Sequence, residues 1–142
     1  MCGISGFIDF TKTTTRTELE KMNRIMAHRG PDGEGYYINN NEKATVGLGH
    51  RRLSIIDLSP GGSQPQNFGK LHITFNGEIY NYKEIKKSLE ALGHQFNSHS
   101  DTEVILHAYT EWGTAALQQF IGMFALAIYD EEKQIIYNSI FR

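Results

Sequence analysis

The chain has 142 residues, of which 39% are hydrophobic and 21% charged, and its formal net charge at pH 7 is −2. That length suits one domain with a substantial core, and the balanced charge favours neither nucleic acid nor an anionic membrane surface as a partner. No apolar run reaches membrane-spanning length, no secretory signal is recognisable and the single cysteine forms no internal disulfide, so the cytoplasm is the expected compartment.

A strand and a helix are predicted to begin the fold. Residues 3–9 have the apolar character of a strand interrupted by small residues. Thr17 followed by Glu20 resembles a capping box, which predicts a helix that starts there and ends near Arg29. The spacing predicts an apolar helix face made of four residues: Leu19, Met22, Ile25 and Met26.

A β-hairpin is predicted next. Its strands are 36–38 and 45–49, joined by a turn at 39–41 that consists of three asparagines. The apolar run Ile55–Leu58 leads into a loop at 59–65. That loop lacks the lysine and the spacing of a phosphate-binding loop, so the sequence argues against nucleotide binding there.

The second half of the chain alternates strands with helices. Leu71, Ile73 and Phe75 have the period-two pattern of a half-buried strand that runs directly into residues 76–78. Because strands and helices are interspersed, the sequence predicts an α+β layered domain. Asn81 followed by Glu84 is a helix-start signature, which predicts a helix at 81–93 with an apolar face of Ile85, Leu89 and Leu92. The remaining predicted elements are a helix at 100–112, a short helical turn at 114–120, and paired strands at 123–129 and 135–137.

Cys2 is the first candidate for chemistry because it directly follows the initiator methionine. Removal of Met1 would leave a thiol next to a free α-amine whose pKa of about 7.7 to 8.0 suits a general base. Nucleophile and base would then belong to one residue, as in N-terminal nucleophilic catalysis. The alternative is an inert, buried thiol.

An acyl-transfer site built on such a nucleophile also needs donors for a developing oxyanion. Asn76 offers a side-chain amide and Gly77 an unobstructed backbone amide at a predicted strand end. The alternative for this pair is a simple Asn-Gly turn.

A substrate with both a carboxylate and an ammonium group would need an arginine and acids. Arg52 can bind a carboxylate in bidentate fashion, and Glu78 and Asp101 can receive an ammonium. Alternatively, Arg52 covers surface and Asp101 caps a helix. The six histidines show no metal-ligand spacing, so no metal site is predicted.

Six motifs follow one another along nearly the whole chain. They are Met1-Cys2-Gly3-Ile4-Ser5-Gly6, Arg29-Gly30-Pro31-Asp32-Gly33, Gly49-His50-Arg51-Arg52-Leu53-Ser54-Ile55-Ile56-Asp57, Phe75-Asn76-Gly77-Glu78-Ile79-Tyr80-Asn81, Ser100-Asp101-Thr102-Glu103-Val104 and Gly122-Met123-Phe124-Ala125. Together they resemble the glutamine-hydrolysing asparagine synthetases, which are class II glutamine amidotransferases with an N-terminal-nucleophile glutaminase domain. The resemblance extends to about Tyr137.

The resemblance implies an α+β fold, the four-layer αββα sandwich of the N-terminal-nucleophile hydrolases. It also implies hydrolysis of glutamine to glutamate and ammonia. Carried over position by position, Cys2 is the nucleophile, and Asn76 with the Gly77 amide forms the oxyanion hole. Four further positions are implied to bind the substrate: Arg52 at its carboxylate, Glu78 and Asp101 at its ammonium group, and Leu53.

The end of the sequence departs from the family pattern. The family's glutaminase domain continues through a Leu-Ala-Arg-Asp-Arg-x-Gly-like strand that residues 136–142 do not match. Residues 1–142 are therefore expected to be a truncated glutaminase domain without its synthetase domain. The family's synthetase domain amidates aspartate with ATP and magnesium, so the chain itself is expected to need no cofactor. Its expected partners are glutamine, a synthetase domain in cis or in trans and, for the full-length protein, a second copy in a homodimer.

Other functions stay open at this point. The departure at the end, together with Met1, is also compatible with a catalytically inactive interaction or regulatory fragment. A glutaminase that serves another acceptor, such as a cell-surface sugar, would use similar motifs. So would an N-terminal-nucleophile hydrolase that acts on a different amide.

Overall fold

The computed structural model describes residues 2–54 and 62–141. The chain divides into two compact units, Met1–Pro65 with Thr74–Asn76, and Gln66–Ile73 with Gly77–Arg142. The predicted apolar run Ile55–Leu58 and the first part of the predicted loop, 59–61, lie outside the described residues, as does Met1. No helix in the described ranges is both long and apolar enough to cross a bilayer.

Among its described residues, the first unit contains a three-stranded antiparallel sheet and the α-helix α1. The elements are β1 (Gly3–Asp9), α1 (Arg16–Ile25), β2 (Gly33–Asn40) and β3 (Thr45–Arg52). The strands lie in the order β1-β3-β2, with Gly3 of β1 opposite Arg51 of β3. The predicted first strand and hairpin are confirmed, although both hairpin strands are longer than predicted. The predicted turn at 39–41 is wrong in position, because Asn39 and Asn40 belong to β2 and pair with β3.

The start of α1 corrects the sequence prediction. The N-cap is Thr15, whose hydroxyl oxygen accepts from the Thr17 amide at 3.2 Å, and Glu18 accepts from the Thr15 amide at 2.9 Å. The predicted capping box at Thr17 and Glu20 is therefore wrong by two residues. The same Thr-x-x-Glu spacing occurs twice in this segment, and only the earlier copy precedes the first helical residue.

The buried face of α1 also differs from the predicted one. Leu19 and Asn23 are buried, whereas Met22 and Ile25 are 37% and 77% exposed. The helix ends at Ile25, before the predicted end near Arg29. The predicted apolar face is therefore confirmed at Leu19 and wrong at Met22 and Ile25, and the polar Asn23 occupies the second buried position.

Asn23 is buried because its side chain satisfies backbone groups of the sheet. Its amide nitrogen donates to the carbonyl of His50 at 3.1 Å and to that of Gly35 at 3.3 Å. Its amide oxygen accepts from the Ser5 hydroxyl at 2.6 Å. These bonds compensate the cost of burying an amide, and they set the rotation of α1 on the sheet.

The second unit contains most of a four-stranded sheet together with the helices that the structure describes in the second half of the chain. The elements are β4 (Gln66–Phe68), β5 (Leu71–Ile79), α2 (Tyr82–Ala91), α3 (Asp101–Trp112), a 3-10 helix (Gly113–Gln119), β6 (Gly122–Asp130) and β7 (Ile135–Phe141). The strand order is β4-β5-β6-β7, in which β4 pairs antiparallel with β5 and β6 pairs antiparallel with β7. The strands and helices predicted in this part of the chain are confirmed, and β4 is an additional strand that was not predicted from the sequence.

Two details of α2 differ from the sequence prediction. Leu92, predicted on the apolar face, is 56% exposed, while Ile85 and Leu89 are buried as predicted. Asn81 occupies the N-cap position but makes no capping bond. Its side chain instead joins α2 to the segment 119–121, accepting from one backbone amide and donating to one carbonyl, each at 2.9 Å.

His50 is a buried titratable group in β3. Burial lowers its pKa to about 4, the charge of Arg52 acts in the same direction, and a hydrogen bond with the Phe75 backbone opposes the shift. Its Nε2 atom is buried without a hydrogen-bond partner. The folded protein therefore holds His50 neutral at pH 7.

Because Thr15 and not Thr17 is the N-cap of α1, alanine at position 15 is expected to destabilise the protein more than alanine at position 17. Thr15→Ala should lower the free energy of unfolding by about 1 kcal/mol because the N-cap bond is lost. Thr17→Ala is the matched control and should change it by less than about 0.5 kcal/mol, since Thr17 is exposed. Urea denaturation followed by circular dichroism measures both, and a larger loss for Thr17→Ala would contradict the assignment.

His50 predicts acid sensitivity of the fold. The unfolded state binds a proton near pH 6.5 and the folded state only near pH 4, so stability is complete above pH 6.5 and falls with acidification. Between pH 7 and 4 the wild type should lose about 2 to 3 kcal/mol more than His50→Gln. Burial also lowers the pKa of His72 and His107, and the comparison cancels their contribution. The free energy of unfolding of both proteins is measured by urea denaturation at a series of pH values. Equal losses between pH 7 and 4 would contradict this prediction.

Candidate active site

The pairing of β1 with β3 brings Cys2 to the end of β3. Gly3 lies opposite Arg51, so Cys2, one residue earlier, lies beside the chain as it leaves β3. The Leu53 amide donates to Cys2 Sγ at 3.4 Å, and the thiol faces the Leu53 carbonyl at 3.8 Å. Cys2 is half-buried and free of any disulfide. Its sulfur is thus oriented by one backbone residue that lies 51 positions away in the sequence.

The turn after α1 holds the backbone of Cys2. Arg29 Nε donates to the Cys2 carbonyl at 3.2 Å. A Cβ at Gly30 would lie 2.4 Å from the carbonyl carbon of Arg51, so only glycine allows this turn to lie directly on β3. Arg51 Nε returns a hydrogen bond to the Gly30 carbonyl at 3.0 Å.

Asp32 fixes the segment that follows β3. Its amide donates to the Arg52 carbonyl at 3.0 Å, and its carboxylate accepts from the Ser54 amide at 2.7 Å. These two bonds flank Leu53, the residue that contacts the thiol. The turn at 29–32 therefore supports both sides of the contact between Cys2 and Leu53.

Three of the predicted site residues come together in this way. Arg52 is the last residue of β3 and is half-buried, with Gly33 of β2 as its cross-strand partner. Leu53 follows it, and Cys2 contacts Leu53. A cation and a thiol thus lie at the same strand end, an arrangement suited to a substrate that carries a carboxylate.

Asn76 belongs to the same compact unit as Cys2. It is half-buried in β5 and follows two anchored residues. The Thr74 hydroxyl donates to the Gly49 carbonyl at 3.0 Å, and the Phe75 amide donates to Gln64 Oε1 at 2.6 Å. The backbone that carries the Asn76 amide is therefore held in place immediately before it.

Gly77 belongs to the second unit and has a conformation that requires glycine. Its φ is +148°, and a Cβ there would lie 2.2 Å from the Met123 carbonyl oxygen and 2.5 Å from the Phe124 Cα. Gly77 is exposed although it lies within β5, which continues beyond the predicted strand end to Ile79. The alternative of a simple Asn-Gly turn is therefore wrong, because both residues are in a strand.

Asp101 also lies in the second unit, at the first position of α3. The helix cap is Ser100, whose hydroxyl accepts from the Thr102 amide at 3.1 Å, so Asp101 does not have the capping role considered from sequence. Asp101 Oδ2 instead accepts from the Ile79 amide at 3.1 Å. Burial raises the pKa of the Asp101 carboxyl, and the charge of exposed Glu78 adds to the rise, whereas the Ile79 and Thr102 amides oppose it.

The described part of the chain contains no cluster of three or more histidine, cysteine, aspartate or glutamate side chains with metal-binding geometry.

Sequence reasoning missed three residues that support the site. Arg29 and Asp32 appeared only as parts of a turn motif, and Gln64 as part of a loop. Their contacts are long-range: Arg29 with Cys2, Asp32 with Ser54 and Gln64 with Phe75. The signal available in the sequence was the Arg-Gly-Pro-Asp turn itself, since a glycine without a helix-capping role often marks a close backbone approach.

Comparison with protein families identifies the class of domain to which this fold and its oriented thiol belong. The chain belongs to the glutamine amidotransferase domain family, whose model matches residues 1–139. The resemblance noted from sequence motifs is thereby confirmed, as is the expected class of enzymatic domain.

Among curated proteins, the chain is similar to several asparagine synthetases. It is 40% identical to a putative glutamine-hydrolysing asparagine synthetase 2 of Methanocaldococcus jannaschii, covering 98% of this chain and 30% of that protein. It is 42% identical to asparagine synthetase 1 of Bacillus subtilis, with coverages of 98% and 22%, and 41% identical to asparagine synthetase B of Escherichia coli, with coverages of 94% and 24%. The chain thus spans less than a third of the length of these relatives.

A solved structure confirms the predicted α+β fold. The glutamine phosphoribosylpyrophosphate amidotransferase of B. subtilis superposes with a TM-score of 0.68 at 22% identity. The match covers 92% of this chain and 35% of that one.

The strained and crowded backbone of Gly77 predicts that alanine destabilises the protein more at position 77 than at position 69. Gly77→Ala should lower the free energy of unfolding by about 3 kcal/mol, because the added Cβ clashes with backbone atoms of β6. Gly69→Ala is the matched control: Gly69 also has positive φ but open space around it, so about 1 kcal/mol is expected. Thermal unfolding followed by circular dichroism measures both. Equal losses would show that the close approach of β6 does not constrain position 77.

Proposed function

We propose that this chain hydrolyses glutamine to glutamate and ammonia with Cys2 as the nucleophile. The single observation that carries the proposal is the Cys2 thiol held by the Leu53 amide at the end of β3, one residue after Arg52. Membership of the glutamine amidotransferase domain family supports the choice of a carboxamide substrate.

Activation of the thiol requires removal of Met1. The α-amine of Cys2 then accepts the thiol proton while Sγ bonds to the side-chain carboxamide carbon of glutamine. The carbon–nitrogen bond breaks as the α-ammonium gives its proton to the amide nitrogen, which leaves as ammonia, and a thioester remains. The same amine then takes a proton from water as the water oxygen bonds to the thioester carbon. The sulfur–carbon bond breaks, glutamate is released, and the α-ammonium returns its proton to the thiolate. Arg29 holds the Cys2 carbonyl and so limits rotation of the residue that carries both groups.

The tetrahedral intermediate places a negative charge on the former carboxamide oxygen. In the proposal, the side-chain amide of Asn76 and the backbone amide of Gly77 donate to this oxyanion. Donors fixed before the reaction need no reorganisation as the charge develops, and one such donor is typically worth about 3 to 4 kcal/mol. The anchored backbone before Asn76 and the constrained conformation of Gly77 support this role.

The two charged groups of glutamine require separate partners. Arg52, with Leu53 beside it, would bind the α-carboxylate, and Glu78 and Asp101 would bind the α-ammonium. An ammonium group would also stabilise the ionised form of Asp101, whose pKa is raised in the free protein by burial.

The ammonia would serve an ATP- and magnesium-dependent synthetase domain that amidates aspartate to asparagine. This part of the proposal rests on relatives named glutamine-hydrolysing asparagine synthetases, of which the chain spans less than a third. The synthetase domain would act in cis or in trans, in the cytoplasm, and a homodimer is proposed for the full-length protein. Residues 1–142 are proposed to be the glutaminase part of such a protein.

A different acceptor for the ammonia is the second candidate. It is favoured by similarity to two proteins named amidases, one of Gibberella zeae at 39% identity and one of Penicillium rubens at 35%. The two candidates are separated by supplying the full-length protein with glutamine, ATP, magnesium and either aspartate or another acceptor of ammonia. Asparagine as the product supports the first candidate, and amidation of the other acceptor alone supports the second.

The proposed nucleophile predicts complete loss of glutaminase activity without the thiol. In protein with Met1 removed, Cys2→Ala should lower the rate of ammonia release from glutamine by at least about 1000-fold, since no group replaces the nucleophile. Lys87→Ala, on the exposed face of α2, is the matched control and should keep the wild-type rate. A coupled glutamate dehydrogenase assay measures the ammonia, and intact mass establishes the N-terminus.

Two results would contradict the proposal. Equal ammonia release by the wild type and Cys2→Ala would exclude Cys2 as nucleophile. No release by folded wild type with a free Cys2 amine would favour the inactive interaction fragment. Protein that retains Met1 should be inactive, because its residue-2 nitrogen is an amide and cannot accept a proton.

A further inference from the structure

The ladder between β4 and β5 stops before it reaches the proposed oxyanion donor. Its pairs are Phe68 with Leu71, Asn67 with His72 and Gln66 with Ile73. Continued by two residues in the same antiparallel register, it would place Pro65 opposite Thr74 and Gln64 opposite Phe75. Pro65 has no backbone N–H and ends such a ladder.

The side chain of Gln64 replaces the missing strand neighbour. Its Oε1 accepts from the Phe75 amide at 2.6 Å, at the position where a backbone carbonyl would otherwise be expected. Phe75 is only 3% exposed, so water cannot readily replace this acceptor at its N–H. This is the last backbone amide before Asn76.

Gln64 is itself held in place by β2. A Cβ at Gly35 would lie 2.0 Å from the Gln64 carbonyl oxygen, which shows that the backbones of the two residues are in direct contact. On the other side, the Phe75 backbone makes a hydrogen bond with His50, and Thr74 is bonded to Gly49. Phe75 is therefore fixed by side chains that belong to separate segments of the unit.

We propose that Gln64 is a positioning residue for Asn76: by holding the Phe75 amide it sets the direction in which the Asn76 side-chain amide points. The proposal rests on the proposed function, in which Asn76 donates to the oxyanion. Gln64 is proposed to touch no reacting atom and no part of glutamine. Its loss should therefore lower the rate of the chemical step and leave the affinity for glutamine unchanged.

The test compares Gln64→Met, which removes the acceptor at similar size, with Gln64→Glu, which keeps an acceptor oxygen. In protein with Met1 removed, Gln64→Met should lower kcat about 10- to 100-fold with KM within about twofold, because small misplacement of a catalytic group has effects of this size. Gln64→Glu should recover most of the rate. A change in KM alone, or equal rates for the two variants, would overturn the proposal.

A double-variant cycle tests whether the effect passes through Asn76. In an Asn76→Ala background, Gln64→Met should change kcat by less than about twofold, since the group it positions is absent. The same 10- to 100-fold loss in both backgrounds would overturn the proposal. If Gln64→Met fails to fold, Gln64→Asn replaces it in both backgrounds. Its side chain is shorter by one methylene group, so its oxygen lies farther from the Phe75 amide, and the same changes in kcat are expected.

A readout without turnover separates this proposal from the proposed function. If the folded wild type releases no ammonia, the glutaminase proposal fails, and nuclear magnetic resonance of the full chain still tests Gln64. In Gln64→Met the Phe75 amide should exchange with solvent at least about 10-fold faster, and the Asn76 side-chain amide resonances should shift, both reverting in Gln64→Glu. Unchanged Asn76 resonances would overturn the positioning role.

Discussion

The antiparallel pairing of β1 with β3 is the interaction on which the candidate site depends. It runs from Gly3 opposite Arg51 to Asp9 opposite Thr45, and it carries the start of the chain to the residue that contacts the thiol. A slip of one residue would move Cys2 away from Leu53 and turn every side chain of β1 to the other face. Asn23 opposes such a slip because its amide bonds the backbone of β3 and the hydroxyl of Ser5 in β1.

Close backbone approach is the second constraint, and it explains why the motifs are rich in glycine. At Gly30 the turn after α1 lies on β3, and at Gly77 the backbone of β5 lies against that of β6. In both places a Cβ would lie within 2.5 Å of a backbone atom, a contact that no rotamer change relieves. These two glycines therefore allow the backbone segments of the site to pack closely, and this packing fixes the orientation of the neighbouring polar residues.

The differences between prediction and structure at α1 and at the start of α2 share one cause, a polar side chain that satisfies distant backbone groups. The sequence offered two Thr-x-x-Glu spacings for the start of α1 and an apolar stripe for its buried face, and local pattern alone could not choose between them. Asn23 determines which face of α1 is buried, because its side chain donates to the carbonyls of Gly35 and His50. Those acceptors come together only in the folded sheet. Asn81 shows the same effect, since its side chain satisfies a distant backbone segment and not the helix it precedes.

What the sequence determined by itself is the strands and helices other than the short strand β4, the family, and the identity of the candidate nucleophile. Periodicity and turn residues are local, and Cys2 is distinguished by its position in the chain. Only the tertiary structure decided which residues support these groups, because Arg29, Asp32 and Gln64 act on partners that are 11 to 27 residues away. A side chain that satisfies a distant backbone amide or carbonyl leaves no periodic signal, so its role becomes visible only when both segments have folded.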